Sequence, residues 1–269
     1  GNSTIEDYML RHYNKPKSFK GYLYVSQILQ AYGMSIGMES HRRNKGYSMG
    51  SLYWQLNDCW PVASWSSIDY FGKWKALHYS TKKAFQPVLI NFFKSDSEIE
   101  LHIISDLLES KEVDLNLKVL SFSGEVLYEL NKSYLLQQNS TMKAESLSID
   151  WLNKNFDPNS SLLVASLFSE EIEISNNNYF LSEFKDIKLT KPLIEYEINE
   201  LINTYEVSLT SKNLVKNVFV DIASTQNFSD NYFDMIPGRE YKISINKDEN
   251  LTLDYIKRNI NFLSLFDTY

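Results

Sequence analysis

The segment Gly50-Ser51-Leu52-Tyr53-Trp54-Gln55-Leu56-Asn57-Asp58-Cys59-Trp60-Pro61-Val62-Ala63-Ser64-Trp65 brings indoles, side-chain amides and a carboxylate together within a few residues. This is the set a sugar site uses. An indole stacks on the apolar face of a pyranose, and Asn, Gln or Asp bond its hydroxyls. Trp54, Gln55, Asn57 and Asp58 are therefore the candidate substrate-binding residues. Trp60, Trp65 and Trp74 are expected to pack instead, since aromatic rings more often belong to a core than to a site. The four histidines, His12, His41, His78 and His102, have no metal-ligand spacing and no Ser or Cys partner motif. His41 beside Arg42-Arg43 reads as a helix-end cation that complements the dipole. The single cysteine, Cys59, cannot form an internal disulfide or a thiolate metal site, and it is expected to be a small buried filler. Neither a metal nor a cofactor is expected.

These residues need elements to hold them. Ser3 and Glu6 have the spacing of a capping box opening a short helix, which Pro16 ends at the latest. Apolar positions from Tyr22 to Ser40 recur at helical intervals, and Gly33 and Gly37 within them would let another element approach closely. Met49 to Leu56 is a compact apolar run, predicted to be a buried parallel strand with the candidate site at its end. A further helix is predicted from Trp74 to Phe85, closed by Pro87.

After Pro87 the periodicity changes from helical to alternating. Val88–Lys94, Glu98–Ser105, Val113–Leu120, Val126–Gln137, Ala144–Ile149, Leu162–Phe168 and Tyr179–Leu189 are predicted strands, with Asn176-Asn177-Asn178 as a turn. Seven strands at short spacing suit an immunoglobulin-like sandwich. Past a linker at Lys191-Pro192, the segments Leu193–Ile198, Thr204–Leu209, Val215–Ile222, Tyr232–Ile236 and Tyr241–Ile245 predict a second one. The organisation expected is three domains, 1–87, 88–190 and 191–269. A net charge of −7 without a basic stripe argues against nucleic acid as a partner. No run approaches the ~20 apolar residues of a membrane-spanning helix, so no membrane partner is expected. The opening Gly1-Asn2-Ser3-Thr4 has neither an initiator Met nor an apolar signal core, and a piece of a longer polypeptide is expected.

At this point a resemblance enters. Tyr22–Ala31, His41–Lys45, Met49–Pro61, Ser64–Tyr70 and Lys73–Tyr79 together resemble the end of the catalytic barrel of β-mannosidases, members of the family-two glycoside hydrolases. Phe228-Ser229-Asp230-Asn231-Tyr232-Phe233-Asp234-Met235-Ile236-Pro237-Gly238 resembles a strand and turn of the same family's C-terminal sandwich. The resemblance implies a multidomain chain: a C-terminal remnant of a (β/α)8 TIM barrel followed by two immunoglobulin-like β-sandwiches. Tyr22–Ser40 would be the seventh barrel helix, Met49–Gln55 the eighth strand and Trp74–Phe85 the eighth helix, with Trp54 at the sugar and a cis peptide bond between Trp54 and Gln55.

The family retains anomeric configuration with two carboxyl groups about 5–5.5 Å apart. The resemblance places both glutamates upstream of this chain, one after an Asn and one in a Ser-Glu-Phe-Gly context. Ser182-Glu183-Phe184 imitates the second motif but continues with Lys185, and Glu183 reads as an exposed strand carboxylate. The resemblance therefore implies part of an exo-β-mannosidase acting on terminal β-linked mannose of oligosaccharides, inactive alone. Its partners would be β-mannosides, the rest of the catalytic barrel and, through the exposed edge of Met49–Gln55, a second copy of the chain. A carbohydrate-binding or docking sandwich module, with Tyr232 as a contact, stays open beside it, as does a related exo-glucosaminidase or β-galactosidase specificity. The compartment is unassigned, with secreted, periplasmic and lysosomal parents all compatible.

Overall fold

The computed structural model describes residues 1–224, 227–249 and 251–269. Two compact units result, the first from Gly1–Gly33, Tyr53–Ser80 and Leu189–Tyr269, the second from Met34–Leu52 and Thr81–Lys188.

Helix α1 (Asn2–His12) begins before Ser3, with Gly1 as its N-cap and no side-chain cap bond, so the expected capping box does not form. Helix α2 (Phe19–Arg43) outruns the predicted Tyr22–Ser40 at both ends. Gly33 and Gly37 are both exposed, and a Cβ at either would meet nothing within 4 Å. The close approach expected there is absent among the described residues. Helix α3 (Ala76–Ala84) starts after Trp74, and Lys82 and Lys83 in its last turn complement the dipole.

The run Met49–Leu56 is not a strand. Its backbone is irregular, and Met49, Leu52, Trp54 and Leu56 are exposed, Leu52 completely. Apolar character and length are local properties, but a strand exists only through hydrogen bonds to a neighbour. Among the described residues no strand runs alongside this one. Asn57 forms an isolated bridge to Ile68, and Ile68 another to Trp74.

The second unit holds strands β1 (Val88–Lys94), β2 (Glu98–Ser105), β3 (Lys111–Ser121), β4 (Val126–Leu136) and β5 (Thr141–Ser148). Helix α4 (Ile149–Asn155), capped by the Ser148 side chain, precedes β6 (Ser161–Ser169) and β7 (Ile172–Phe180). The strands pair antiparallel in two sheets, β1-β2-β5 and β4-β3-β6-β7. Inward residues alternate along them, and Ile90, Leu101 and Ile103 share a core with Leu115, Leu117 and Leu167. Here Asn176-Asn177-Asn178 lies inside β7, opposite Ser166, Ala165 and Val164, where a turn was predicted. Asn is uncommon in strands, yet these amides find partners: Asn177 Nδ2 donates to Ile90 O at 2.9 Å. The predicted strand Tyr179–Leu189 gives way to turns after Phe180, and exposed Glu183 sits in one of them.

The first unit contains the other sandwich, with β8 (Ile194–Glu200), β9 (Thr204–Ser211), β10 (Val215–Asp221), β11 (Phe233–Met235) and β12 (Tyr241–Asn246). Helix α5 (Leu253–Asn259), capped by Thr252, then β13 (Asn261–Leu263) and a 3-10 turn at Leu265–Thr268 complete it. Its sheets are β12-β9-β8 and β11-β10-β13. Val207, Leu209, Val218, Val220 and Phe228 are fully or almost fully buried between them. Asn231 extends the pairing of β10: Val220 N donates to Asn231 Oδ1, and Asn231 Nδ2 donates to Val220 O, each at 2.8 Å. Tyr232 follows at φ 57° and stacks on Phe219 with ring centroids 4.7 Å apart.

Candidate functional site

The candidate residues lie on one loop of the first unit, and backbone hydrogen bonds lace that loop together. Ile68 N donates to Leu56 O at 2.9 Å, Asp58 N to Ile68 O at 3.0 Å, and Lys75 N to Ser67 O at 2.9 Å. Ser67, wholly buried, supports the turn from inside: its hydroxyl donates to Leu56 O at 2.9 Å and lies 2.8 Å from the Tyr53 hydroxyl. The sequence therefore uses a run of small hydroxyl residues, Ser64, Ser66 and Ser67, where a larger side chain would push the loop apart.

Above this base the peptide bond between Trp54 and Gln55 is cis. The Trp54 indole is 77% exposed. Gln55 is half-buried. Its Nε2 donates to Asn57 O at 2.7 Å, while its Oε1 accepts from Trp65 Nε1 at 3.4 Å. Trp65 is fixed in turn by Gln30, whose Nε2 donates to Trp65 O at 2.8 Å. Asn57 is exposed, with its amide donating to Asp58 O at 3.2 Å. Trp54, Gln55 and Asn57 thus present a ring face and two amides on one short stretch.

Asp58 takes a different place from the other three. It is buried, and its carboxylate accepts from the Ser64 and Ser66 hydroxyls and from Lys75 Nζ, the last at 3.1 Å. The Ser64 hydroxyl leads, with Ser66 and Lys75 behind it, in holding this carboxyl below its ordinary range against the opposing effect of burial. A carboxylate with its lone pairs committed inside the loop is a buttress, so the expectation that Asp58 bonds a sugar hydroxyl is corrected. Ser64, Ser66 and Lys75 lie in the stretches that carry the family resemblance, but nothing in their types or spacing marked them as partners of Asp58.

The other aromatic expectations also divide. Trp60 and Trp65 are 62% and 60% exposed, so neither plugs a core. Trp74 packs, 4.3 Å from the His78 ring and 5.3 Å from the Tyr79 ring by centroid. Cys59 is exposed where a buried filler was expected. In the second unit, His41 falls in the last turn of α2 and lies 2.8 Å from the Ser51 hydroxyl. Its neighbours Arg42 and Arg43 do more than complement the dipole. Arg42 donates to the carbonyls of Ala84 and Gln86 and to Asp106, and Arg43 donates to Asn91 Oδ1 at 2.8 Å.

Residues 97–186 match the family described as the Mannosidase Ig/CBM-like domain, and residues 189–268 match an Ig-fold domain family of mannosidases. Over its whole length the chain is 30% identical to a β-mannosidase of Capra hircus and 27% identical to one of Mus musculus, covering 33% of each. Among solved structures, a β-D-mannosidase of Dictyoglomus thermophilum superposes on 98% of the chain with a TM-score of 0.89 at 26% identity, the match spanning 32% of that protein. An exo-chitosanase of Amycolatopsis orientalis shares the fold over 96% of the chain, with a TM-score of 0.76 at 16% identity and 35% of its own length covered. The chain spans about a third of the length of the relatives it matches, and over that third, with its two immunoglobulin-like β-sandwiches, it is similar along its whole length to β-mannosidases.

Proposed function

We propose that this chain supplies one part of a retaining exo-β-mannosidase. It carries the end of the catalytic (β/α)8 barrel, with one wall of the pocket for the terminal mannose, and two accessory sandwiches in domains 1–87, 88–190 and 191–269. What carries the reading is the alignment of the entire chain with β-mannosidases, together with an exposed indole and two amides within four residues of a braced loop. Trp54 stacks on the sugar ring, Gln55 and Asn57 bond hydroxyls, and Asp58 holds the loop from beneath. Trp65 keeps the Gln55 amide oriented through its indole nitrogen.

The chemistry belongs to two glutamates that the resemblance places outside this sequence. Alone, the chain can bind and orient but has no acid and nucleophile pair to cleave a glycosidic bond. In the whole enzyme the remaining barrel covers Met49, Leu52 and Leu56. In its absence, a second copy of the chain is the natural cover for those exposed side chains. An assay with aryl β-mannoside and aryl β-glucosaminide tests the proposal: the purified chain gives no turnover of either. Steady mannoside turnover that survives Asp58→Asn would overturn it.

A further inference from the structure

Within the first unit, the loop that carries Trp54, Gln55 and Asn57 ends in a short ladder of single-residue bridges. Ile68 is its middle rung, paired with Asn57 on one side and with Trp74 on the other. Asp69 closes the turn between Ile68 and Trp74. Its backbone N donates to Lys73 O at 2.9 Å, and its Oδ1 accepts from Phe71 N and Lys73 N, both at 2.9 Å. Gly72 takes φ 82° in that turn, a conformation suited to glycine. On the far edge of the ladder stands Asn227, from the C-terminal sandwich. Its Oδ1 accepts from Trp74 N at 2.8 Å and its Nδ2 donates to Gly72 O at 2.9 Å, as a peptide group of a neighbouring strand would.

Asn227 is anchored at its own end. The next residue, Phe228, is 1% exposed in the sandwich core, and its carbonyl accepts from the Tyr79 hydroxyl at 3.3 Å. Lys73 lies beside the clamp, its Nζ donating to Ser224 O at 2.9 Å and standing 3.5 Å from Asp221 Oδ1. The two contacts differ in kind. Lys73 reaches the sandwich by the tip of a long side chain, which can follow a moving partner. Asn227 bonds the loop backbone itself, twice, through one planar amide. Two paired segments are marginal by themselves, so a further member decides whether Ile68 holds Asn57 in place.

We propose that Asn227 is a positioning residue of the candidate sugar site. Its amide completes the ladder that fixes Asn57, and with it the Trp54–Gln55 stretch, so the C-terminal sandwich helps to shape the pocket. The link to sugar rests on the function proposed above, while the clamp itself does not.

Site-resolved amide hydrogen exchange on the whole chain tests the clamp without any sugar. The amides of Ile68 and Asp58 bond to Leu56 O and Ile68 O. In Asn227→Ala they are expected to exchange about tenfold faster, while the amides of β9 and β10 keep their rates. Lys73→Met removes the neighbouring contacts and spares the amide, so it is expected to leave Ile68 and Asp58 unchanged. Asn227→Asp keeps the shape and the acceptor for Trp74 N but loses the donor to Gly72 O. A smaller acceleration at the same two amides is expected, and this variant stays informative if the alanine variant does not fold. In the chain extended to the length of its relatives, Asn227→Ala should raise KM for an aryl β-mannoside by about threefold or more, and Lys73→Met should not. Unchanged exchange at Ile68 and Asp58 in both Asn227 variants would overturn the proposal, as would equal acceleration in Lys73→Met or an unchanged KM. An extended chain that turns over no mannoside would count against the mannosidase reading instead, and the exchange rates would still decide the clamp.

Discussion

Lys75 Nζ meets Asp58 Oδ2 at 3.1 Å, and the carboxylate it meets is 97% withdrawn from solvent, with 3% of its side chain exposed. The two residues are 17 positions apart, so the contact closes the candidate sugar-binding loop upon itself. Ser66 lies within reach of both partners, 2.7 Å from Asp58 Oδ2 and 2.8 Å from Lys75 Nζ. Trp54, Gln55 and Asn57 depend on this clasp without touching the chemistry within it.

Removing one member leaves a buried charge without its counter-ion. Lys75→Met is expected to lower stability by about 3 kcal/mol, measured by urea unfolding. The double variant Lys75→Met with Asp58→Asn should recover much of that loss. Equal or greater damage in the double variant would mean that the pair acts through packing alone.

The same carboxylate sets an acid limit. Its folded-state pKa lies below the unfolded value of about 3.9, so its contribution is fully present above that pH and is lost as pH falls through the folded pKa. The stability difference between wild type and Asp58→Asn should therefore be constant near neutrality and shrink below about pH 4. Denaturant titrations between pH 7 and pH 2 would reveal this, and a difference independent of pH would count against it.

In the second unit Glu39 titrates in the opposite sense. Asn91 Nδ2 donates to Glu39 Oε2 at 2.7 Å, but desolvation outweighs this bond and the nearby Lys83, Arg43 and Arg42, and raises the carboxyl above its ordinary range. A raised folded pKa favours the native state at low pH, and that advantage is lost as pH rises through the folded value. Glu39→Gln keeps an acceptor for Asn91 without the charge. It is expected to be more stable than wild type at pH 7, with the gain vanishing in acid, as followed by thermal unfolding at several pH values.

Asn91 is 2% exposed and joins Glu39 to Arg43 through its two amide atoms. Asn91→Ala removes both bonds and leaves the groups around it imperfectly paired. A loss of about 2–3 kcal/mol in chemical denaturation is expected.

Trp54 should behave as a site residue and contribute nothing to folding. Because its indole is 77% exposed, Trp54→Ala is expected to change unfolding free energy by less than about 0.5 kcal/mol. In a chain extended to the length of the relatives, the same change should raise KM for an aryl β-mannoside and lower kcat/KM by at least about tenfold. A large loss of stability with unchanged kinetics would assign Trp54 to packing.

Much of the fold was legible because it is written at short range. The β-rich apolar run Val88–Lys94 and the alternation in Glu98–Ser105 marked β1 and β2 to the residue, and the helical spacing from Tyr22 onward marked α2. Gaps arose where local character and tertiary setting disagree. Asn176-Asn177-Asn178 has the composition of a turn but lies in β7, where β6 and Ile90 supply its partners. Helix α5 and strand β13, beyond Ile245, are seven and three residues long, too short for a periodicity to mark them.

Residue order alone determined the periodicities of the two sandwiches, the short stretch that places a ring beside two amides, and the kinship with β-mannosidases. These are properties of neighbours in sequence and need no partner to be read. Tertiary structure alone decided that Asp58 turns inward to Ser64, Ser66 and Lys75 while Trp54 and Trp65 stay in solvent. It also decided that Met49–Leu56, apolar enough for a strand, forms none. The reason is the same in both cases: a buried charge and a β-strand are each completed by groups distant in sequence, and only folding reveals whether those groups are at hand.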